Sequence, residues 1–226
     1  VANMSTDQIA GLSSSFVDAL TTTQFDLLTT SQLANISTVA MPKLDSAQLA
    51  TLTSAELKAF TSAQIAKLDA KALAGLTTAA IAGFDTEDMG QLTTAPFAAF
   101  NTAQLGAIST ANFAKLGTAQ LLKLADKQLA GITTAQIVGM STDQMAGLST
   151  ATLGKLTTAQ FDAMSTSQLS NLSSAAMAKL TSAQLKTLNS AELKALTSVQ
   201  ISKLDAKAFS GLTAAAVPIL PCTCIS

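Results

Sequence analysis

The 226-residue sequence predicts an all-α solenoid of very short helices, one for every eight residues. Three observations lead to this prediction. They are an unbroken eight-residue repeat, a helix N-cap residue at one fixed position of that repeat, and a separation of acidic from basic residues within it. The repeat sets the period, and the other two features mark where each helix starts and ends.

The repeat fills residues 4–219 with 27 complete octads of the form L-[ST]-[ST]-A-Q-L-x-x. Stepping by eight from Met4 to Leu220, every position is apolar, and a second apolar column runs from Ile9 to Val217. We number each octad from its first apolar residue, so the two columns are positions one and six. A tandem array of this kind indicates one small unit per repeat, stacked on its neighbours to bury a shared core.

Position two carries residues that cap helices. It is Ser, Thr, Asp or Asn in 25 of the 27 octads, and the exceptions are Gly117 and Ala125. Position five, three residues later, is Gln or Glu in 16 octads, which is the spacing of a capping box. Positions one and six would then be the two ends of a hydrophobic staple. These columns predict that a helix starts at the same place in every octad.

The octad positions of the charged residues, glycines and prolines indicate the same helix bounds. Eleven of the 14 acids lie at positions two to five and ten of the 13 Lys at positions seven or eight, as a helix dipole favours. Seven of the 11 Gly occupy position eight, where a helix of about one and a half turns would stop. Pro42 and Pro218, at position seven, should restrict their octads to a single turn, whereas Pro96 falls in a first turn and is tolerated.

Other secondary structures fit the octad less well. A continuous helix would move the apolar columns around its axis by about 80° per octad, so they would form no stripe. A strand would place the two columns on opposite faces. A β-solenoid with Thr-rich faces stays as the alternative. The number of octads per coil, two or three, cannot be read from the sequence.

The sequence also contains a second, longer repeat that spans many octads. Residues 4–83 and 140–219 share 52 identities in 80 positions, at an offset of 17 octads. We therefore treat residues 1–226 as a single repeat array. It divides into a 17-octad block at 4–139, a truncated second block at 140–219 and a C-terminal tail at 220–226.

The amino-acid composition argues against most kinds of catalytic, metal-binding and phosphate-binding site. The chain has no His, Trp, Tyr or Arg, only 12% charged residues and a net charge of −1. It therefore lacks imidazole for base catalysis or metal binding and guanidinium for phosphate capture. We predict no catalytic, cofactor-binding or metal-binding residues, no enzyme activity and no nucleic-acid partner. No apolar stretch approaches the ~20 residues of a membrane span, so we expect no membrane insertion.

The tail contains Cys222 and Cys224 in the sequence PCTCIS. A C-x-C pair without partner ligands is a weak metal motif, and a disulfide within it would close a strained ring. We interpret the segment as the end of the repeat or as lying outside the array, with an interchain disulfide as the alternative. The sequence does not decide whether the two cysteines are bonded.

Octads of the LTTAQL and LSTDQI type resemble repeat tracts in very large secreted or surface proteins of proteobacteria, described as haemagglutinin-like or adhesin-like. The resemblance covers essentially the whole chain and implies no catalytic residues. What it implies is a stalk, fibre or adhesion tract, secreted or at the cell surface.

Three functional hypotheses follow. The first is a rigid structural module whose partners are the flanking domains of a larger chain. The second is a surface-binding solenoid whose Ser/Thr rows at position three hold an extended ligand such as ice or a polysaccharide. The third is a filament subunit that associates end to end with further copies.

Overall fold

The computed structural model describes residues 1–148 and 150–212, which fall into two compact units, residues 1–116 and 117–226. Both units are helical, and no strand occurs in the described residues. The prediction of an all-α array of short helices is confirmed for this part of the chain, and the β-solenoid alternative finds no support there.

Unit 1, residues 1–116, contains 13 helices of four to six residues and one 3₁₀ turn, Met41–Lys43. Its helices are α1 (Thr6–Ala10), α2 (Ser14–Asp18), α3 (Thr22–Asp26), α4 (Thr30–Leu33), α5 (Ser46–Leu49), α6 (Ser54–Ala59), α7 (Ser62–Ile65), α8 (Ala70–Leu73), α9 (Thr78–Ile81), α10 (Thr86–Gln91), α11 (Thr94–Ala98), α12 (Thr102–Ala107) and α13 (Thr110–Phe113).

Unit 2, residues 117–226, has twelve helices of the same size in its described part. They are α14 (Thr118–Leu121), α15 (Asp126–Leu129), α16 (Thr134–Gly139), α17 (Thr142–Gly147), α18 (Thr150–Lys155), α19 (Thr158–Asp162), α20 (Thr166–Ser170), α21 (Ser174–Met177), α22 (Ser182–Thr187), α23 (Ser190–Ala195), α24 (Ser198–Ser202) and α25 (Ala206–Phe209).

The helices start where the cap residues predict. Thr61 shows the capping box: its Oγ1 accepts from the Gln64 backbone N–H at 3.3 Å, and Gln64 Oε1 accepts from the Thr61 backbone N–H at 2.7 Å. At Gly117 no side chain is available, so only the second bond forms, from Gly117 N–H to Gln120 Oε1 at 2.6 Å. Thr93 makes no side-chain cap bond, because Pro96 stands where the N–H to be capped would be.

Proline acts as the sequence predicts where the structure describes it. The octad with Pro42 forms only the 3₁₀ turn Met41–Lys43, whereas Pro96 lies within α11. Pro218 lies outside the described residues, as do Cys222 and Cys224.

Three octads make one coil in each unit, because helices pack on the helix three octads further along. In unit 1, α5 packs on α8 and α8 on α11; in unit 2, α19 packs on α22 and α22 on α25. Each unit therefore consists of three stacks of helices. The two apolar columns face the interior, as Leu49 at position six and Leu52 at position one illustrate by their burial.

The glycines at position eight lie at or just after helix ends, as predicted: α16 ends at Gly139, α17 ends at Gly147 and Gly11 is the C-cap of α1. The described glycines have no positive φ, so they do not end helices in the left-handed conformation. Instead, a Cβ added to Gly75 would overlap the Ser46 carbonyl of the previous coil, and one added to Gly211 would overlap the Ser182 carbonyl. Glycine at these two corners allows the backbones of successive coils to approach closely.

Candidate functional site

Where position five is Gln, its side chain can connect a coil to the previous one, as Gln48 shows. Gln48, 1% exposed, has its Oε1 2.9 Å from the Asp45 backbone N–H, which is the capping-box bond within its own octad. Its Nε2 donates to the backbone carbonyls of Val17 at 3.2 Å and Leu20 at 2.9 Å, in the coil below. One amide therefore caps its own helix and bridges two coils.

This arrangement, which we call the Gln joint, recurs through both units. The amide nitrogen always donates to carbonyls 31 and 28 residues earlier, which are position six of one octad and position one of the next. The residues that do so include Gln32, Gln48, Gln64, Gln104, Gln160, Gln168, Gln184 and Gln200.

The acceptor carbonyls lie at the corner between two short helices. The position-one carbonyl precedes the N-cap, so it belongs to no helical hydrogen-bond ladder. A buried carbonyl without a donor is costly, and the Gln joint supplies that donor from the next coil. The joint therefore stabilises the corners as well as the stacks.

Position five is exposed only where the structure describes no earlier coil. Gln8, Phe16 and Gln24 belong to the first three octads, and all three are exposed. Phe16 is 43% exposed, although Phe25 and the other apolar side chains at position six of these octads are buried. Burial of position five thus depends on the preceding coil and not on the octad itself.

The sequence analysis missed the inter-coil half of the Gln joint. It assigned position five only to the capping box, which Glu or Gln satisfies equally. One signal was present: Gln occupies this position 14 times and Glu only twice. A helix N-terminus favours the acid, so a strong preference for the amide indicates that a donor is needed.

Two octads on one stack replace Gln by a shorter side chain. Asn112, on α13, donates from Nδ2 to the Phe84 carbonyl at 2.6 Å, so it reaches only the carbonyl 28 residues earlier. Asp88, on α10, is 4% exposed and accepts the Asp85 backbone N–H at 3.0 Å through Oδ2. Burial raises the pKa of the Asp88 carboxyl.

The outer surface is formed by positions two, three, four, seven and eight. One stack of unit 1 presents a hydroxyl at position three in each of four successive coils, and all four residues are exposed: Thr30, Ser54, Thr78 and Thr102. Among the described residues the one ion pair joins Lys155 Nζ to Asp126 Oδ2 at 3.3 Å, and both side chains are largely exposed. Pairs of this kind contribute little to stability.

A candidate metal centre is not found in the described parts of the two units. They contain no group of three or more His, Cys, Asp or Glu residues placed to hold a metal ion. Helices there reach six residues at most, too short to cross a membrane. The predicted absence of catalytic and cofactor-binding residues remains a prediction.

Comparison with known families identifies the repeat. A family model described as the ALTTAQ repeat matches residues 81–118, 113–150 and 142–174. These three matches support a tandem repeat tract within residues 81–174, where the chain is similar to this repeat. No curated protein matches the chain.

Proposed function

We propose that the chain is a non-catalytic structural module: a rigid stalk, fibre or adhesion segment of a larger bacterial surface protein, located outside the cell. Its partners would be the flanking domains of that protein. The observation that carries the proposal is the Gln joint, which connects successive coils through the backbone in both units.

The joint supports a mechanical role because it resists separation of the coils. Tilting one coil away from the next would break the bonds from Gln104 Nε2 to the Leu73 and Leu76 carbonyls, at 3.1 and 2.7 Å. Each buried polar group left without a partner costs about 1–3 kcal/mol. Coils joined by such bonds should bend little relative to one another, which is the property that a stalk needs.

The amino-acid composition supports the proposal that the module is not catalytic. A chain of 226 residues without His or Arg lacks the most common general base and the most specific binder of phosphate and carboxylate. The 16 position-five Gln and Glu side chains and the caps are accounted for by the repeat itself.

The structural proposal is tested by lengthening unit 1. A second copy of residues 44–67 is inserted directly after Lys67, which adds one coil of three octads. Small-angle scattering should show the maximum dimension growing by about 8–10 Å, the spacing of packed helices. The control carries the same insertion with Ser at the copied positions of Leu49, Leu57 and Ile65. Equal dimensions for the lengthened and the unmodified chain would contradict the proposal.

The location is tested on intact cells that produce the protein. Protease added outside the cells should remove the repeat tract while a cytoplasmic marker stays intact. Cleavage only after the cells are lysed would exclude an extracellular stalk.

The exposed hydroxyl row of unit 1 favours a second candidate, binding of an extended ordered ligand such as ice or a polysaccharide. Thr78 and Thr102 lie one coil apart on the same stack, so their hydroxyls repeat with the coil. Thermal hysteresis and polysaccharide co-sedimentation should be positive for the native chain and reduced for the double variant Thr78→Ala, Thr102→Ala. Absence of both activities in the native chain would exclude this candidate.

End-to-end association with further copies remains the third proposal. It is tested by sedimentation, which should show a mass that rises with protein concentration.

A further inference from the structure

We propose that Asp88 forms a proton-sensitive joint between two coils of unit 1. When Asp88 binds a proton from solvent, its carboxyl gains an O–H that can donate to the preceding coil. Unit 1 is then held together more strongly in mild acid than at neutral pH. The inference does not depend on the proposed function, since it concerns only the contacts within residues 1–116.

The geometry comes from the neighbouring coil. Asn112 lies three octads after Asp88 on the same stack, where α13 packs on α10 and α10 packs on α7. Asn112 Nδ2 donates to the Phe84 carbonyl, 28 residues earlier, at 2.6 Å. The same offset from Asp88 leads to the Phe60 carbonyl. Asp and Asn have the same length and shape, so the Asp88 carboxyl is placed to reach Phe60 as Asn112 reaches Phe84.

The ionised carboxylate cannot make that bond. A carboxylate has only acceptor sites, and a backbone carbonyl is also an acceptor. The charged form is instead held by donors on its other side: the Asp85 backbone N–H, at 3.0 Å, and the Ser62 side chain. Only the protonated form can accept from these groups and donate to a carbonyl at the same time.

The surrounding charges favour protonation. Burial is the largest cause that raises the pKa of Asp88, and the negative charges of Asp85 and Glu87 raise it further. The hydrogen bonds from Asp85 and Ser62 lower the pKa, each by less than burial raises it. The two helices packed on α10 contain no titratable residue, since α7 reads SAQI and α13 reads TANF.

Other charged groups near this stack lie away from the buried carboxyl. Lys67 and Lys115, in the octads of α7 and α13, are exposed. On α6, which ends just before Phe60, Glu56 is half-buried and its side chain accepts the backbone N–H of the N-cap Thr53, while Lys58 is exposed. Asp85 and Glu87 are the charged groups that act on the pKa of Asp88.

The direction of the pH effect follows from the raised pKa. A carboxyl whose pKa is higher in the folded chain than its ordinary value of 3.8 binds its proton more readily when folded. Its contribution to stability is complete below that ordinary value and is lost as the pH rises through the folded pKa. Stability attributable to Asp88 therefore falls as the pH rises above 3.8 through the raised pKa of the folded chain.

The test compares thermal unfolding of the full native chain with that of Asp88→Asn, from pH 4 to pH 7.5. The variant keeps the shape and supplies a permanent donor. Its midpoint should lie about 2–4 °C above that of the native chain at pH 7, and the gap should narrow as the pH falls to 4. Every other carboxyl is common to both chains, so the gap isolates Asp88. A gap that is absent at pH 7, or equal at both pH values, overturns the proposal.

A reciprocal variant controls for composition. In the double variant Asp88→Asn, Asn112→Asp the net charge is unchanged and the carboxyl moves by one coil. Its midpoint should lie below that of Asp88→Asn alone at pH 7, and this gap should narrow as the pH falls to 4. A gap between the two variants that is absent, or equal at both pH values, contradicts the inference.

Carbon NMR of the native chain gives a measurement that does not depend on any variant. The Asp88 carboxyl resonance should titrate with a midpoint above 3.8. A midpoint at or below that value also overturns the proposal.

Discussion

The joints at Gln104 and Asp88 occupy the same octad position in unit 1 and differ in what they can donate. Gln104 Oε1 accepts the Asn101 N–H at 2.8 Å and its Nε2 bridges to the earlier coil. Asp88 accepts the corresponding N–H of Asp85 but has no donor when ionised. The comparison separates two roles of position five: capping within the octad needs an acceptor, whereas joining the coils needs a donor.

The largest effect is expected from removing a Gln joint. Gln104→Leu keeps an apolar filling but leaves the Leu76 carbonyl without its donor from the next coil, while the Leu73 carbonyl still accepts the Leu76 N–H at 3.1 Å. Together with the lost capping-box bond to Asn101, this should lower the free energy of unfolding by about 2–4 kcal/mol. The matched control is Gln8→Leu, at the same position in the exposed first coil. Gln8 makes only the capping-box bonds, so the loss should be about 1 kcal/mol or less. Urea unfolding measures both, and equal losses would contradict the separate role of the donor.

A glycine at a coil corner tests how closely the backbones approach. Gly75→Ala would place a Cβ against the Ser46 carbonyl, and relieving this overlap should cost about 1–3 kcal/mol of stability. Gly90, inside α10, has nothing within 4 Å of the added Cβ. Gly90→Ala should therefore stabilise the chain by about 0.5–1 kcal/mol through helix propensity. If the two substitutions shift the denaturation midpoint in the same direction, the packing role of Gly75 is wrong.

The smallest expected effect concerns the cap alone. Ala125 is the N-cap of α15 and has no side chain that can accept a hydrogen bond, although its N–H is bonded to Gln128 Oε1 at 2.7 Å. Ala125→Ser should complete the capping box and raise stability by about 0.5–1 kcal/mol, while Thr61→Ala should lower it by a similar amount. Calorimetry of both variants checks the pair, and a loss of stability in Ala125→Ser would be the contrary result.

The local structure was predictable from the sequence because its causes are local. Cap residues at position two and apolar residues at positions one and six act within one octad, and the helices begin where they indicate. The 3₁₀ turn at Pro42 is predictable for the same reason. Each of these features depends on neighbours along the chain.

The assembly of octads was not predictable because its causes lie a full coil or more away along the chain. All octads have similar sequences, so nothing in the pattern indicates that three of them form one coil. The inter-coil bond of Gln48 and the close approach of Gly75 to Ser46 appear only when the coils are stacked. Asp88 shows the limit most clearly, since in the sequence it is one acid among three in its octad.

The Gln joint recognises backbone and not side chains. In both units the amide nitrogen meets carbonyl oxygens, a group that every residue possesses, so the joint is indifferent to which octad lies beneath it. Any octad with Gln at position five can therefore follow any other. Side chains at other positions can change during evolution without loss of the hydrogen bonds between coils. Copying errors during replication can then lengthen such a gene by any number of octads. The duplicated block fits this expectation, because its 17 octads are not a multiple of the three that make a coil.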